Sequence, residues 1–221
     1  MSAKIVIIIY YYIFDAIFFL REICYQIKFV LYLQYGILHT VMKVDKILLF
    51  EYLIYCLIEW YKNAVSNNEH LNKHFSRLTA LKLLFFVSTI KDTENRDKDL
   101  LDIFDNFCAM QYGPVEIDIY TAIVDGKTQI YKFGVHELIV SSENNTIFDS
   151  LNLQDKNRID RAIKLLQNRN PKIISYPASI LIDISHKWEA WQNAMSLASM
   201  LGRRCENMPT NSIRENRQFY E

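Results

Sequence analysis

Tyr112-Gly113-Pro114-Val115 is the tetrad that most restricts how this chain can fold, because it sets a permissive glycine directly before a residue of fixed φ. Gly113 can enter backbone regions closed to side chains, and Pro114 suits the first turn of a helix, where its missing N–H costs nothing. The tetrad therefore predicts a corner at which one helix ends and another begins. Upstream, Asp99 to Gln111 carries Leu100, Ile103, Phe104, Phe107 and Cys108 at a spacing that gathers them on one helical face. Downstream, Glu116 and Asp118 fall where carboxylates favour a helix N-terminus, with Glu116 expected at the surface. Such a corner is by itself structural punctuation.

Two further segments turn the corner into a resemblance. Leu81-Lys82-Leu83-Leu84-Phe85-Phe86 resembles the Leu-x-Lys-Leu-Leu-Tyr/Phe-Phe helix of the Panacea domain, the SocA-like antitoxin family. Leu181-Ile182-Asp183-Ile184-Ser185-His186-Lys187-Trp188-Glu189-Ala190-Trp191 is similar to that family's Leu…Thr/Ser-His…Pro-Trp helix, with Ala190 standing where the pattern has proline. The motifs occur in family order, and the resemblance covers roughly Lys43 to Glu221. It implies a mainly α domain that binds and neutralises a cognate toxin. Lys82, Tyr112, Gly113, Pro114, Val115, His186 and Trp191 are the motif positions it marks as structural or toxin-contacting.

Composition sets independent limits. A chain of 221 residues, 51% hydrophobic, is long enough for one domain with a sizeable core. The 25 basic and 25 acidic residues cancel, which leaves no global field to gather nucleic acid or an anionic membrane. Cys24, Cys56, Cys108 and Cys205 lie far apart with no Cys-x-x-Cys pair, and read as reduced, mostly buried thiols. Five glycines and four prolines argue for long helices over a many-turned β sandwich.

The first 41 residues differ in kind from the rest. Ile5 to Leu20 is an apolar run broken only by Asp15, and Phe29 to Val41 forms a second. Three readings stand open for this hydrophobic extension: translated upstream DNA with Met42 as the start, a membrane-associated helix, or an extra core helix. The longest run falls short of the ~20 residues that span a bilayer, and no small-residue cleavage site follows it.

Residues 42–221 read as one multi-helix domain with at most a short β-hairpin. Val44 to Val65 is expected to be a long, largely buried helix, and Ser66 to His74 a polar connection. Lys91 to Asp99 reads as a charged loop. Val115 to Val124 is helix ended by Asp125-Gly126, or a strand with those residues as its turn; the resemblance implies helix. Alternation at Gln129 to Phe133 suggests an extended segment paired with Glu137 to Val140. Asp155 is the expected N-cap of a helix through Gln167, with Ile159, Ala162, Ile163 and Leu166 inward and Arg158, Arg161 and Lys164 in water. Pro171 and Pro177 bound a linker. Pro177 opens a helix that runs to Gly202 and carries Leu181, Ile184, Trp188, Trp191 and Met195 as one stripe, and Ser212 to Glu215 fits a capping box.

Sets of residues with catalytic potential are thin. His70 and His74 have helical zinc spacing, but Leu71 stands where a hydrolytic motif has glutamate and no third ligand follows. Asp183 and His186 could pair as carboxylate and base, yet no nucleophile is specified for them. Lys82 reads as a lysine snorkelling to a solvated edge, or one offered to an acidic partner. The expectation is a cytoplasmic, prophage-associated antitoxin, not an enzyme, using no metal, cofactor or small-molecule substrate and not acting on nucleic acid. Its partner is a cognate toxin protein. The alternatives are an adaptor that delivers a bound toxin to a protease, or a membrane-associated accessory protein held through residues 5–41.

Overall fold

A computed structural model describes residues 45–66, 68–91, 99–142, 145–215 and 217–221. Expectations about residues 1–41, and about most of the loop from Lys91 to Asp99, lie outside the described residues. Among the described residues no helix is long and apolar enough to cross a membrane.

Two nearly all-apolar helices form the core. Helix α1 spans 45–64, and its Ile47, Phe50, Leu53, Ile54, Leu57 and Ile58 are all buried. After the short helix α2 (Leu71–His74) comes α3 (Arg77–Thr89), buried at every residue from Thr79 onward. A helix without a polar face has to be enclosed on all sides. The rest of the fold does this: α3 packs on β2, α5 and α6.

The segment after the loop departs from expectation. Asp99 to Gln111 does not form a helix. Its periodicity is realised for a single turn, in which the Phe104 N–H donates to the Leu100 carbonyl at 2.8 Å and both side chains are buried. The chain then extends as β1 (Phe107–Met110), reverses through Gln111 and Tyr112, and returns as β2 (Gly113–Glu116). The register pairs Phe107 with Glu116, Ala109 with Pro114 and Met110 with Gly113. Tyr112-Gly113-Pro114-Val115 is thus the turn and return strand of a β-hairpin, not a helix-to-helix corner. Pro114 is tolerated because β2 is an edge strand, where a missing N–H breaks no ladder. Gly113 does have φ +91°, as a glycine-specific turn requires.

Helix α4 (Ile117–Val124) follows directly, with Gly126 at φ +66° beyond its end, so the helical alternative is realised from Ile117 onward while Val115 and Glu116 belong to β2. Its N-cap is Glu116, which is fully buried; its carboxylate accepts from Ile119 N at 2.7 Å. The expected hairpin is present as β3 (Tyr131–Phe133) paired with β4 (Leu138–Val140). Helix α5 (Leu153–Arg169) buries the four expected residues, but Asn152 caps it by accepting from Gln154 N at 2.7 Å, with Asp155 inside the first turn. Arg158 does not face water either. It is half-buried and donates to the Asp99 carbonyl at 2.6 Å, with Asp102 and Asp155 as ion-pair partners.

The expected helix from Pro177 to Gly202 is two helices, α6 (Ala178–His186) and α7 (Glu189–Met200), broken at Lys187-Trp188. The break lets Trp188 turn fully into the core. Its ring sits 4.7 Å from Phe85 and 5.3 Å from Tyr220, and its N–H donates to the Phe219 carbonyl at 2.5 Å. Beyond Gly202, strand β5 (Glu206–Asn207) joins the sheet in the order β2-β1-β5. The last helix, α8 (Thr210–Glu215), holds Ser212 in its interior, so the capping box is not formed. The chain ends with Tyr220 buried, its hydroxyl donating to the Thr89 carbonyl at 2.7 Å.

Candidate functional site

The three motifs meet at one buried node. Lys82 lies mid-way along α3 with no exposed surface, and its amine donates to the Pro114 carbonyl at 2.5 Å. Lys82 is thus enclosed in the core and does not reach the solvated edge expected for it. Burial in an apolar helix penalises the charged form and lowers the amine's pKa to about 7.

Gly113 sits directly above this amine. A Cβ at this position would lie 2.3 Å from Ser185 Oγ and 3.1 Å from Lys82 Nζ, so the glycine is required by space as well as by φ. Ser185, at the end of α6, turns its hydroxyl to the Ile182 carbonyl at 2.8 Å. Next to it, the His186 ring stacks on Trp191 with centroids 3.9 Å apart and planes 12° from parallel. The Trp191 N–H donates to the Met110 carbonyl at 3.0 Å. His186 bonds the Gln111 carbonyl with one ring nitrogen, while Nε2 is buried and has no partner among the described residues. Desolvation, and then the charge of Lys82, lower the His186 pKa, which favours the neutral ring. Asp183 is exposed on the preceding turn and affects His186 only through its charge.

Lys82, Gly113, Pro114, His186 and Trp191 are therefore brought together, with Val115 buried in the same strand. Each polar contact clamps the backbone of the β1–β2 hairpin: Lys82 holds Pro114, Trp191 holds Met110 and His186 holds Gln111. Tyr112, at the tip, is left outside the clamp and is 60% exposed. An amine, a hydroxyl and an imidazole in proximity suggest acid–base chemistry, but Lys82 and Ser185 are sealed from solvent. What they do in this conformation is fix the hairpin.

Other sequence candidates lie elsewhere. His74 donates from Nε2 to the Ile174 carbonyl at 2.7 Å and stacks on Tyr61, while His70 is exposed, so the pair forms no common face for a ligand. Asp105, Glu116 and Asp118 bring carboxylate oxygens within 4.8 Å of one another, a spacing that suits a cation. The Lys46 ammonium already fills that place, at 2.8, 2.6 and 2.9 Å from the three. Burial alone would lower the Lys46 pKa, but the Glu116 charge and the three acidic hydrogen bonds outweigh it and hold lysine above its usual range.

A family model described as "Antitoxin SocA-like, Panacea domain" matches residues 81–192, just over half of the chain. The chain belongs to this family. The match opens at Leu81, beside the buried lysine, and closes just beyond Trp191, so it contains the whole node. Membership supports a role related to toxin-antitoxin systems. Comparison with curated proteins and with solved structures gave no match.

Proposed function

We propose that this chain is an antitoxin that neutralises a cognate protein toxin by direct contact, with the β1–β2 hairpin and the Trp191 face of α7 as the contact surface. The observation that carries this reading is that the family's motif residues hold one hairpin by its backbone and leave an exposed tyrosine at its tip. Tyrosine supplies large contact area at low entropic cost, and a clamped turn loses little further freedom on binding. On this reading the protein acts by occupying its partner, turns over no substrate and needs no nucleotide or metal.

Coexpression tests it. The full chain should rescue growth from the toxin encoded by an adjacent reading frame, and the two should copurify without added nucleotide or metal. Rescue with no detectable complex would overturn neutralisation by contact.

A further inference from the structure

We propose that Cys108 and Cys205 form a reversible disulfide that staples β1 to the C-terminal arm of the fold. The two are remote in sequence, but β1 pairs with β5 so that Ala109 faces Glu206 and Cys108 faces Asn207. Continued by one residue, this register sets Cys205, the residue before β5, opposite Met110, two places along β1 from Cys108 and on the same face of the strand. The Cys108 thiol already reaches across and donates to the Glu206 carbonyl at 3.2 Å. Both thiols are free in the structure. They also act on one another: burial first, then hydrogen bonding and charge from Cys205, push the Cys108 thiol up to about 12.

Their surroundings give them different parts in the reaction. Cys108 is buried and a reluctant thiolate, whereas Cys205 is half-buried at the end of the stretch 201–205, outside any helix or strand. Cys205 therefore reacts first. Its thiolate attacks one sulfur of glutathione disulfide, the S–S bond breaks and one glutathione thiolate leaves. Cys108 then gives up its proton and attacks the Cys205 sulfur, releasing the second glutathione. Two protein thiols are oxidised and one glutathione disulfide is reduced to two glutathione molecules. Cys56 is separate, with its thiol turned to Asp160 of α5 at 3.6 Å.

The bridge would tie β1, the strand that feeds the hairpin, to the segment that carries β5 and α8. It stands independently of the antitoxin reading because it is read covalently. The reduced full chain is incubated in glutathione buffers of graded redox ratio, blocked with an alkylating agent, and mapped by intact mass and peptide analysis. The expected product has lost two alkylatable thiols within one chain, contains a linked Cys108–Cys205 peptide, and melts about 10 °C higher than the reduced form. C108S should stop at a glutathione adduct on Cys205, and C205S should leave Cys108 unmodified. If C108S does not fold, C108A replaces it. Glutathione adducts without a bridge, a bridge involving Cys24 or Cys56, a bridge between chains, no reaction, or an unchanged or lowered melting point would each overturn the proposal.

Discussion

Gly113 and Gly126 both adopt positive φ, and the contrast between them isolates what the motif glycine does. A Cβ on Gly126 would meet nothing within 4 Å, whereas one on Gly113 would run into Ser185 and Lys82. Gly126→Ala should therefore cost about 1 kcal/mol from backbone strain alone. Gly113→Ala should cost roughly 3 kcal/mol or more, because overpacking adds to the same strain. Thermal melts of the two variants decide it, and equal losses would remove the steric role of Gly113. The neighbouring Lys82 makes a prediction in pH. Its folded pKa, about 7, lies below the ordinary 10.5, so between those values the unfolded chain holds the extra proton. Stability should thus rise with pH across that window, by up to about 1.4 kcal/mol per unit, and the gain should be lost as pH falls towards 7. Lys82→Met removes this contribution. Subtracting its stability curve from that of the native chain should reveal the slope; parallel curves would mean that the buried amine titrates normally.

At the scale of elements, α1 and the β3–β4 hairpin are joined by the packing of Phe50 on Phe133, with ring centroids 5.2 Å apart, and by one buried carboxylate. Glu51 is fully buried in α1 and accepts from the backbone N–H groups of Gln129, Ile130 and Tyr131 at 2.7 to 3.0 Å. Glu51→Ala would leave these donors without their acceptor, at a cost on the order of 3 kcal/mol or more. Hydrogen exchange should show protection lost first at residues 129–131, and uniform loss across the molecule would contradict a local anchor. Nothing in the sequence singled out Glu51, because a carboxylate on an otherwise apolar helix looks the same whether it meets water or a cluster of amides. Helix α1 was legible from the length of its apolar run and α5 from its apolar periodicity. The β1 strand was not: Leu100, Ile103, Phe104, Phe107 and Cys108 keep helical spacing, and strand pairing of Phe107–Met110 with β2 and β5 overrides it. The break before α7 did leave a signal. The family pattern has proline just before Trp191, and Ala190 falls in the first turn of α7, where proline is at home.

Across the whole molecule, the node was legible as three motifs and illegible as one place. The motifs marked Lys82, Gly113-Pro114 and His186–Trp191, but it is the hairpin that brings the Pro114 carbonyl to the Lys82 amine and the Met110 carbonyl to Trp191. Segments outside the family match complete the structure around it. α1 contributes Lys46 and Glu51, and the C-terminal arm contributes Tyr220, which closes over Trp188 and Thr89. The core is thus built by the full described length. Whether the clamped hairpin presents Tyr112 to a toxin, as proposed, is decided by the affinity of full-length Tyr112→Ala for the toxin encoded by the adjacent reading frame, with a melt run alongside. The melting temperature should be unchanged and binding weakened at least tenfold, since truncating an interface anchor costs ~2 kcal/mol or more. A folded Tyr112→Ala variant that binds the toxin as tightly as the native chain would contradict the proposal.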